Sequence, residues 1–374
     1  MTGNTQGLMA NQEVRFAVAA DRTRIAYARH TSGGPNSLPL VRAAHWLSHL
    51  EYDWQSPIWH YFLGGLARDR TLVRYDERGT GLSDREARDL SFEAMVGDLE
   101  AVVDTLDLEQ FALLGMSQGA AIAIAYAARH PERVAGIVIC GGYARGHAHR
   151  GRTPEQRLDA ELLLNLIRVG WGGANPKFRR VFATMFVPDA SPEQVVAFDE
   201  LQRLSAAPEA AYRLRRTFDD IDVTEACKRV RSPALVMHAR DDGVVPFEEG
   251  RLLAGLIPGS RFVPLEGRNH ILLAREPGTD RFFAELRSFL AKIEAEATKP
   301  APATTHDNLA GLTDREREIL TFVGNGLTNA EIALTLVLSP RTVERHLSNV
   351  YAKLGLDGKA ARAAAAVRAV RARR

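Results

Sequence analysis

Residues 312–356 constrain the fold more tightly than any other part of the chain, because three helix starts lie close together there. Thr313 and Thr328 each stand three residues before a glutamate, which is the spacing of a capping box. Ser339 is followed by a proline, the pairing expected of an N-cap and a first helical position. A short turn at residues 337–339 separates the second predicted helix from the third, and this arrangement predicts a helix-turn-helix.

The third predicted helix has one apolar and one polar face. Val343, Leu347, Val350 and Leu354 recur at spacings of four, three and four residues, so they should face the core. The polar positions of this helix are the candidate DNA contacts, and they are Arg341, Thr342, Glu344, Arg345, Ser348, Asn349 and Lys353. Such a face fits the major groove of double-stranded DNA, although an ordinary solvated helix would carry similar charges.

Individual side chains on this face match individual contacts to DNA. Arg345 can pair with guanine and Asn349 with adenine, and Glu344 can accept a hydrogen bond from cytosine. Arg341 and Lys353 are better suited to phosphate. Residues 307–374 contain 11 Lys and Arg against 7 Asp and Glu, a net charge of +4, which leaves 37 against 39 in the rest of the chain. The positive charge is therefore concentrated where a polyanion would bind.

Composition excludes several classes of protein. Cys140 and Cys227 are the two cysteines among 374 residues and cannot form a disulfide framework. The start of the sequence contains no apolar run of signal-peptide length, and no stretch approaches the roughly 18 apolar residues that span a bilayer. We therefore expect a cytoplasmic protein that is associated with the nucleoid when bound to DNA, without a membrane partner. No residue pattern calls for a metal or another cofactor.

The longer, first part of the chain alternates between strand and helix patterns. Continuous apolar strands separated by helices predict an α/β fold with a mostly parallel sheet, covered on both faces. Residues 143–230 lack strand patterns and contain about four predicted helices, which is typical of a helical lid over the strand ends. Residues 295–307, rich in Pro, Ala and Thr, read as a linker. The predicted domains are thus residues 1–294, with the lid, and residues 308–374, an all-α domain of four helices.

Residues 115–119, Gly-Met-Ser-Gln-Gly, follow a predicted strand and precede a predicted helix. A serine on so tight a turn is typical of a nucleophile elbow, since only glycine is expected to fit two positions before and after Ser117. A nucleophilic serine needs a base and an orienting carboxylate, in the chain order serine, acid, histidine. Asp242 and His270 each follow a predicted strand in that order, with Asp241 as a competitor for the acid. Taken singly, each of these residues is more often a polar loop or turn residue.

The strings YDERGTGLSD, GMSQG, DDGVVP and GRNH together resemble the α/β-hydrolase family over roughly residues 14–295. The resemblance implies that Ser117 is the nucleophile, His270 the base and Asp242 the orienting acid. It also implies oxyanion donors from the backbone N–H of Gln118 and of Trp46. His45 stands where the family usually has glycine, and a side chain there can slow turnover by narrowing the approach to the carbonyl oxygen. Alternatively, Trp46 is a wall of the pocket.

Side chains around this site predict the nature of the ligand. The candidate pocket residues are apolar or aromatic in the main, and they are His45, Met116, Trp171, Phe182 and Phe186. Three of them come from the predicted lid. They favour a small, largely apolar molecule, although aromatic residues at such spacings also build ordinary cores.

The C-terminal strings LTDREREIL, GLTNAEIA, LSPRTVERHL and KLGL resemble the LuxR-type helix-turn-helix domain of the NarL/FixJ group. The resemblance implies a four-helix domain, a homodimer paired through the fourth helix, and an inverted-repeat operator. Glu344 departs from the basic residue often found at its position.

Three functions remain open from the sequence. The first is a one-component transcription regulator whose hydrolase-like domain senses a small apolar ester or related molecule, either with or without hydrolysing it. The second is an active serine hydrolase that carries a DNA-tethering domain. The third is a hydrolase whose C-terminal domain binds only protein, which predicts no salt-dependent affinity for DNA.

Overall fold

The structure, a computed structural model, describes residues 12–34, 37–151, 153–172, 176–298, 312–336, 338–356, 358 and 360–371. The chain divides into two compact units, Met1–Glu296 and Ala297–Arg374. No helix within the described ranges is long and apolar enough to cross a membrane.

The first unit is built on one eight-stranded sheet. Its strands are β1 (Glu13–Val18), β2 (Arg24–His30), β3 (Leu40–Arg42), β4 (Leu72–Tyr75), β5 (Phe111–Met116), β6 (Val134–Cys140), β7 (Ala234–Ala239) and β8 (Arg261–Leu265). They lie in the order β1-β2-β4-β3-β5-β6-β7-β8, with β2 antiparallel to both its neighbours and the remaining pairs parallel. Every residue of β4, β5 and β7 is buried, so both faces of the central sheet are covered, as the continuous apolar runs predicted.

Eleven α-helices of the first unit lie in the described ranges. They are α1 (Leu50–Gln55), α2 (Trp59–Leu66), α3 (Phe92–Thr105), α4 (Gly119–Arg129), α5 (Pro154–Gly170), α6 (Pro176–Phe186), α7 (Pro192–Ser205), α8 (Pro208–Asp219), α9 (Thr224–Arg229), α10 (Phe247–Leu256) and α11 (Pro277–Thr298). Helix α3 packs against β1 and β2, α4 against β5 and β6, and α10 against β7 and β8. Ser91 caps α3, because its side chain accepts a hydrogen bond from the Ala94 N–H.

The predicted lid and linker differ from the structure at their edges. Residues 143–230 contain five α-helices within the described ranges rather than about four, and the additional one, α9, packs against α4 and α10. Helix α9 therefore belongs with the helices that cover the sheet. Helix α11 runs to Thr298, into the predicted linker, and the last core side chains on its inner face are Leu290 and Ile293. The rest of the predicted linker, residues 299–307, lies outside the described residues.

The second unit contains four helices in its described ranges, α12 (Asp314–Gly324), α13 (Asn329–Leu336), α14 (Pro340–Leu354) and α15 (Ala361–Arg371). All three predicted helix starts are confirmed. Thr313 shares two hydrogen bonds with Glu316, and Thr328 shares three with Glu331. The Ser339 hydroxyl accepts one from the Thr342 N–H. Val343, Leu347 and Val350 are buried, so the apolar stripe of α14 faces the core.

Candidate functional site

Ser117 lies on a sharp turn between β5 and α4, and its backbone is in the left-handed region with φ +50°. Neighbouring atoms leave no room for side chains on the flanking glycines. A Cβ on Gly115 would stand 2.6 Å from the Ala120 Cα, and one on Gly119 would stand 2.5 Å from the Ala44 carbonyl oxygen. Both glycines are thus required by close approach, and the strained serine is held by the strand and helix on either side.

His270 and Asp242 form a buried pair at the same edge of the sheet, beyond the ends of β8 and β7. The two side chains approach to 2.7 Å between His270 Nδ1 and Asp242 Oδ2, and each is at least 97 % buried. The other oxygen of Asp242, Oδ1, accepts hydrogen bonds of 2.8 and 2.9 Å from the N–H groups of Val244 and Val245. Burial by itself raises the pKa of Asp242, but the imidazole and the backbone donors outweigh burial and hold that pKa below its ordinary value. Asp242, and not its neighbour Asp241, is the residue on the imidazole.

Ser117 and His270 line one and the same cavity. Among the described residues, no hydrogen bond joins the Ser117 hydroxyl to the imidazole. In serine hydrolases such a contact often tightens only when substrate is bound. The cavity is therefore lined by the serine and the histidine, and Asp242 contacts the imidazole without lining the cavity; the acid–histidine contact is formed and the serine–histidine contact is open.

The cavity wall agrees only in part with the predicted pocket. His45, Met116 and Phe186 line it. Trp171 and Phe182 were predicted to line it and do not. They pack behind the Trp46 indole, with the Trp171 ring stacked on it at 5.0 Å between centroids, and so form a second layer of the wall.

Four wall residues were missed by the sequence reasoning, namely Leu47, Trp59, Cys140 and Ile271. Two of them had a usable signal. Cys140 is the last residue of β6, the strand beside the one that carries Ser117, and Ile271 directly follows His270. Trp59 had none, because it comes from a helix whose orientation is decided by packing. The wall is largely apolar, as predicted.

The end of α6, in the predicted lid, is tied to the loop that carries His270 by backbone hydrogen bonds. The carbonyl oxygen of Phe186, the last residue of α6, accepts from the N–H groups of His270 and Ile271 at 2.9 and 3.2 Å. The Phe186 ring also meets the His270 ring edge to face, at 5.3 Å. A molecule that moves the end of α6 must therefore disturb the loop that carries the imidazole.

The predicted DNA-contact face of α14 is open to solvent. Arg341, Glu344, Arg345, Ser348 and Asn349 are all exposed. The Ser348 hydroxyl donates back to the Glu344 carbonyl oxygen at 3.0 Å, so one of its hydrogen-bonding groups is engaged within the helix.

Two other predicted DNA contacts have partners inside the second unit. The Thr342 hydroxyl lies 2.8 Å from the Ser339 hydroxyl at the start of α14. Lys353 Nζ lies 2.6 Å from Glu316 Oε2 and thereby joins the end of α14 to the capping box of α12. The hydrogen bond from Lys353 is the main cause that lowers the pKa of Glu316 to about 2. Lys353 was predicted to contact phosphate, and to do so it would have to leave its ion pair with Glu316 or share its charge between the two partners.

Two family models match this chain. The model described as "alpha/beta hydrolase fold" matches residues 48–277. The chain belongs to the α/β-hydrolase family. The model described as "Bacterial regulatory proteins, luxR family" matches residues 310–366. The chain is therefore an α/β-hydrolase domain fused to a LuxR-family DNA-binding domain, as the two resemblances predicted.

Individual relatives cover the hydrolase domain. The chain is 28 % identical over 238 residues to the pyrrolizixenacetamide deacetylase of Xenorhabdus hominickii, which covers 62 % of this chain and 85 % of that one. It is 29 % identical over 202 residues to the AB hydrolase superfamily protein YisY of Bacillus subtilis (strain 168), covering 53 % and 74 %. An esterase from Exiguobacterium antarcticum has the same fold, with a TM-score of 0.62, 23 % identity, and coverage of 75 % of this chain and 100 % of that one.

The α/β-hydrolase domain departs from expectation at the predicted oxyanion site. The Trp46 backbone N–H, predicted to face a substrate, donates instead to the side-chain oxygen of Gln118 at 3.1 Å. The other end of that amide, Gln118 Nε2, donates to Glu77 Oε1 at 2.7 Å. His45 turns its Nδ1 to the Trp46 carbonyl oxygen at 2.8 Å, and its burial holds the pKa of its imidazole well below the ordinary value. The Trp46 ring is a pocket wall, so the two sequence readings of Trp46 concern different parts of one residue.

Proposed function

We propose that this chain is a one-component transcription regulator whose α/β-hydrolase domain binds a small, largely apolar carbonyl compound. The single observation that carries the proposal is the coexistence, in one chain, of a Ser-His-Asp cavity and an exposed polar recognition face on α14. The apolar wall favours an ester, or an amide of the kind that the name of the Xenorhabdus relative implies. Ser117, Asp242 and His270 would recognise or attack its carbonyl group.

The chemistry available to the site is acyl transfer. Ser117 Oγ would attack the carbonyl carbon while His270 Nε2 takes the hydroxyl proton, and Asp242 would hold the imidazole with Nδ1 protonated. The proton would then pass to the leaving group, and water would release the acyl group by the same route. Whether turnover is fast or slow, a bound or covalently attached ligand would press on Phe186. It would thereby disturb residues 270 and 271, whose N–H groups donate to the Phe186 carbonyl oxygen.

Regulation requires that the ligand bind one arrangement of the chain better than another. The lid contact supplies a place where such a preference can act, since Phe186 belongs to α6 and also anchors residues 270 and 271. We also propose that two chains pair, because the LuxR resemblance implies it and Val367 on α15 is an apolar side chain exposed to solvent.

The test uses the full chain and DNA selected by it from a random pool. Diisopropyl fluorophosphate serves as the probe, because it attaches to an activated serine, and mass spectrometry reports its stoichiometry. We expect modification of Ser117 to change the Kd for the selected DNA by fivefold or more, which is the usual lower range of allosteric coupling. The matched control, Ser117→Ala, should bind the same DNA and show no change with the probe. Complete labelling with a Kd unchanged within twofold would count against the proposal.

The second candidate is a serine hydrolase tethered to DNA, and the preformed His270–Asp242 pair is the observation that favours it. Robust hydrolysis of p-nitrophenyl acetate together with DNA binding that is indifferent to the probe would support this candidate. If the chain shows no salt-dependent affinity for DNA and its C-terminal domain binds a protein instead, the third function is supported.

A further inference from the structure

The side chain of Gln118 engages the Trp46 N–H, which is the donor that the proposed function offers to a substrate's carbonyl oxygen. Its amide oxygen accepts the Trp46 N–H at 3.1 Å, and the whole residue is 98 % buried. Its own backbone N–H, at the start of α4, donates to no described residue. One of the two proposed oxyanion donors is thus open and the other is engaged by a neighbouring amide.

Glu77 holds the far end of this amide. Its Oε1 accepts from Gln118 Nε2 at 2.7 Å, and the carboxyl group is fully enclosed, with Oε2 buried and without a partner among the described residues. Because both ends of the amide are hydrogen-bonded inside the protein, the side chain cannot rotate away without leaving Glu77 and Trp46 unpaired. A buried polar group left unpaired is unfavourable, because it has lost a hydrogen bond and has no water to replace the partner. The conformation is therefore locked unless something else binds the Trp46 N–H.

We propose that Gln118, positioned by Glu77, caps the oxyanion site of this domain, so that ligands reach Ser117 but are turned over slowly. This inference rests on the assignment of Ser117 and Trp46 in the proposed function. A carbonyl oxygen of a ligand must compete with the Gln118 oxygen for the Trp46 N–H. One missing oxyanion donor lowers kcat by roughly 10²–10³-fold in enzymes of this kind. Slow turnover suits a receptor, because a ligand destroyed at once could not hold the chain in one state.

The change of kcat in Gln118→Met distinguishes a cap from a merely supporting role of the Gln118 side chain. If the side chain caps the site, Gln118→Met frees the Trp46 N–H while it keeps the backbone donor and the side-chain length. We then expect kcat for p-nitrophenyl acetate to rise by tenfold or more, with KM changed less than threefold. If the side chain merely supports the loop that carries Trp46, the same variant lowers kcat.

A matched pair of variants at Glu77 provides a second measurement, should Gln118→Met fail to fold. Glu77→Leu removes the acceptor that holds the amide, and kcat should rise. Glu77→Gln keeps an acceptor oxygen of the same reach, so it should restore the cap and the slow rate. A rise in both variants, or in neither, would overturn the role of Glu77.

Labelling with diisopropyl fluorophosphate separates this inference from the proposed function. If Ser117 is labelled and kcat in Gln118→Met is equal to or below that of the wild type, the cap is wrong while the ligand site stands. If Ser117 is not labelled in the wild type, Gln118→Met or Glu77→Leu, both proposals fail. Faster turnover in Gln118→Met without any effect of the probe on DNA binding would support the cap and contradict the regulator.

Discussion

Asp242→Asn should disable the serine by forcing the wrong tautomer on His270. The hydrogen bonds around the carboxylate dictate how an asparagine would sit. Oδ1 accepts from two backbone N–H groups, of Val244 and Val245, at 2.8 and 2.9 Å, so the amide oxygen must take this place. The amide nitrogen then faces His270 Nδ1, where Oδ2 now lies at 2.7 Å, and donates to it. The ring proton moves to Nε2, which can no longer accept the proton of Ser117.

The expected loss of Ser117 reactivity is large, because Asp242→Asn changes the tautomer of His270 although the side chain keeps its shape. The corresponding change in a Ser-His-Asp triad lowers kcat about 10⁴-fold, which is roughly 5 kcal/mol of transition-state stabilisation. The assay is the rate of Ser117 labelling by diisopropyl fluorophosphate at neutral pH, followed by mass spectrometry. Asp241→Asn is the matched control, since Asp241 is exposed and does not contact the imidazole, and it should label like the wild type. Labelling of Asp242→Asn within tenfold of the wild type, or an equal loss in Asp241→Asn, would refute the reasoning.

Three further perturbations test other parts of the structure. Burial, aided by the nearby charge of Asp98, raises the pKa of Glu77 from 4.5 to about 8, so its neutral form stabilises the fold fully below pH 4.5 and this contribution is lost as the pH rises through 8. The free energy of unfolding, measured with urea, should therefore change less between pH 4.5 and 8 in Glu77→Gln than in the wild type, by on the order of a few kcal/mol. Identical pH profiles of the two proteins would contradict the raised pKa of Glu77. Gly119→Ala should destabilise the hydrolase unit by roughly 1–3 kcal/mol, because its methyl group meets the Ala44 carbonyl oxygen at 2.5 Å; an unchanged denaturation midpoint would mean that the turn can move. Arg345→Ala should weaken binding to the selected DNA by about 1–3 kcal/mol and relax the sequence preference at one base position. Arg341→Ala should weaken binding to all sequences alike and reduce the slope of log K against log salt concentration by about 1. The reverse pattern would mean that Arg341 reads a base and Arg345 contacts phosphate.

The local features of this protein were readable from the sequence. The helix starts at Thr313, Thr328 and Ser339 depend on hydrogen bonds that span three residues, so the spacing alone specifies them. The turn at Ser117 is local on one side only, since Gly115 is required by Ala120 of the adjoining helix, whereas Gly119 is required by the carbonyl oxygen of the distant Ala44. The alternation of buried strands and helices likewise predicted a mostly parallel sheet, because the apolar runs reflect burial on both faces.

Contacts between distant segments were predicted where the topology fixes them and missed where packing does. Ends of parallel strands share one edge of the sheet, which is why Asp242 and His270 could be expected to meet. The choice of Asp242 over Asp241 needed side-chain directions, because adjacent residues differ only in where they point. Trp171 was predicted in the cavity wall and Trp59 was found there instead, because the orientation of a helix depends on packing across the whole core.

The sequence by itself determined two kinds of domain and the residues that could act in each, because these depend on short-range patterns and on strand order. The tertiary structure decided which donors are open. The engagement of the Trp46 N–H by Gln118 joins residues 72 positions apart, and the anchor at Glu77 lies on a third segment. A side-chain conformation held from two distant segments has no signature in either of them, so only the folded chain shows it.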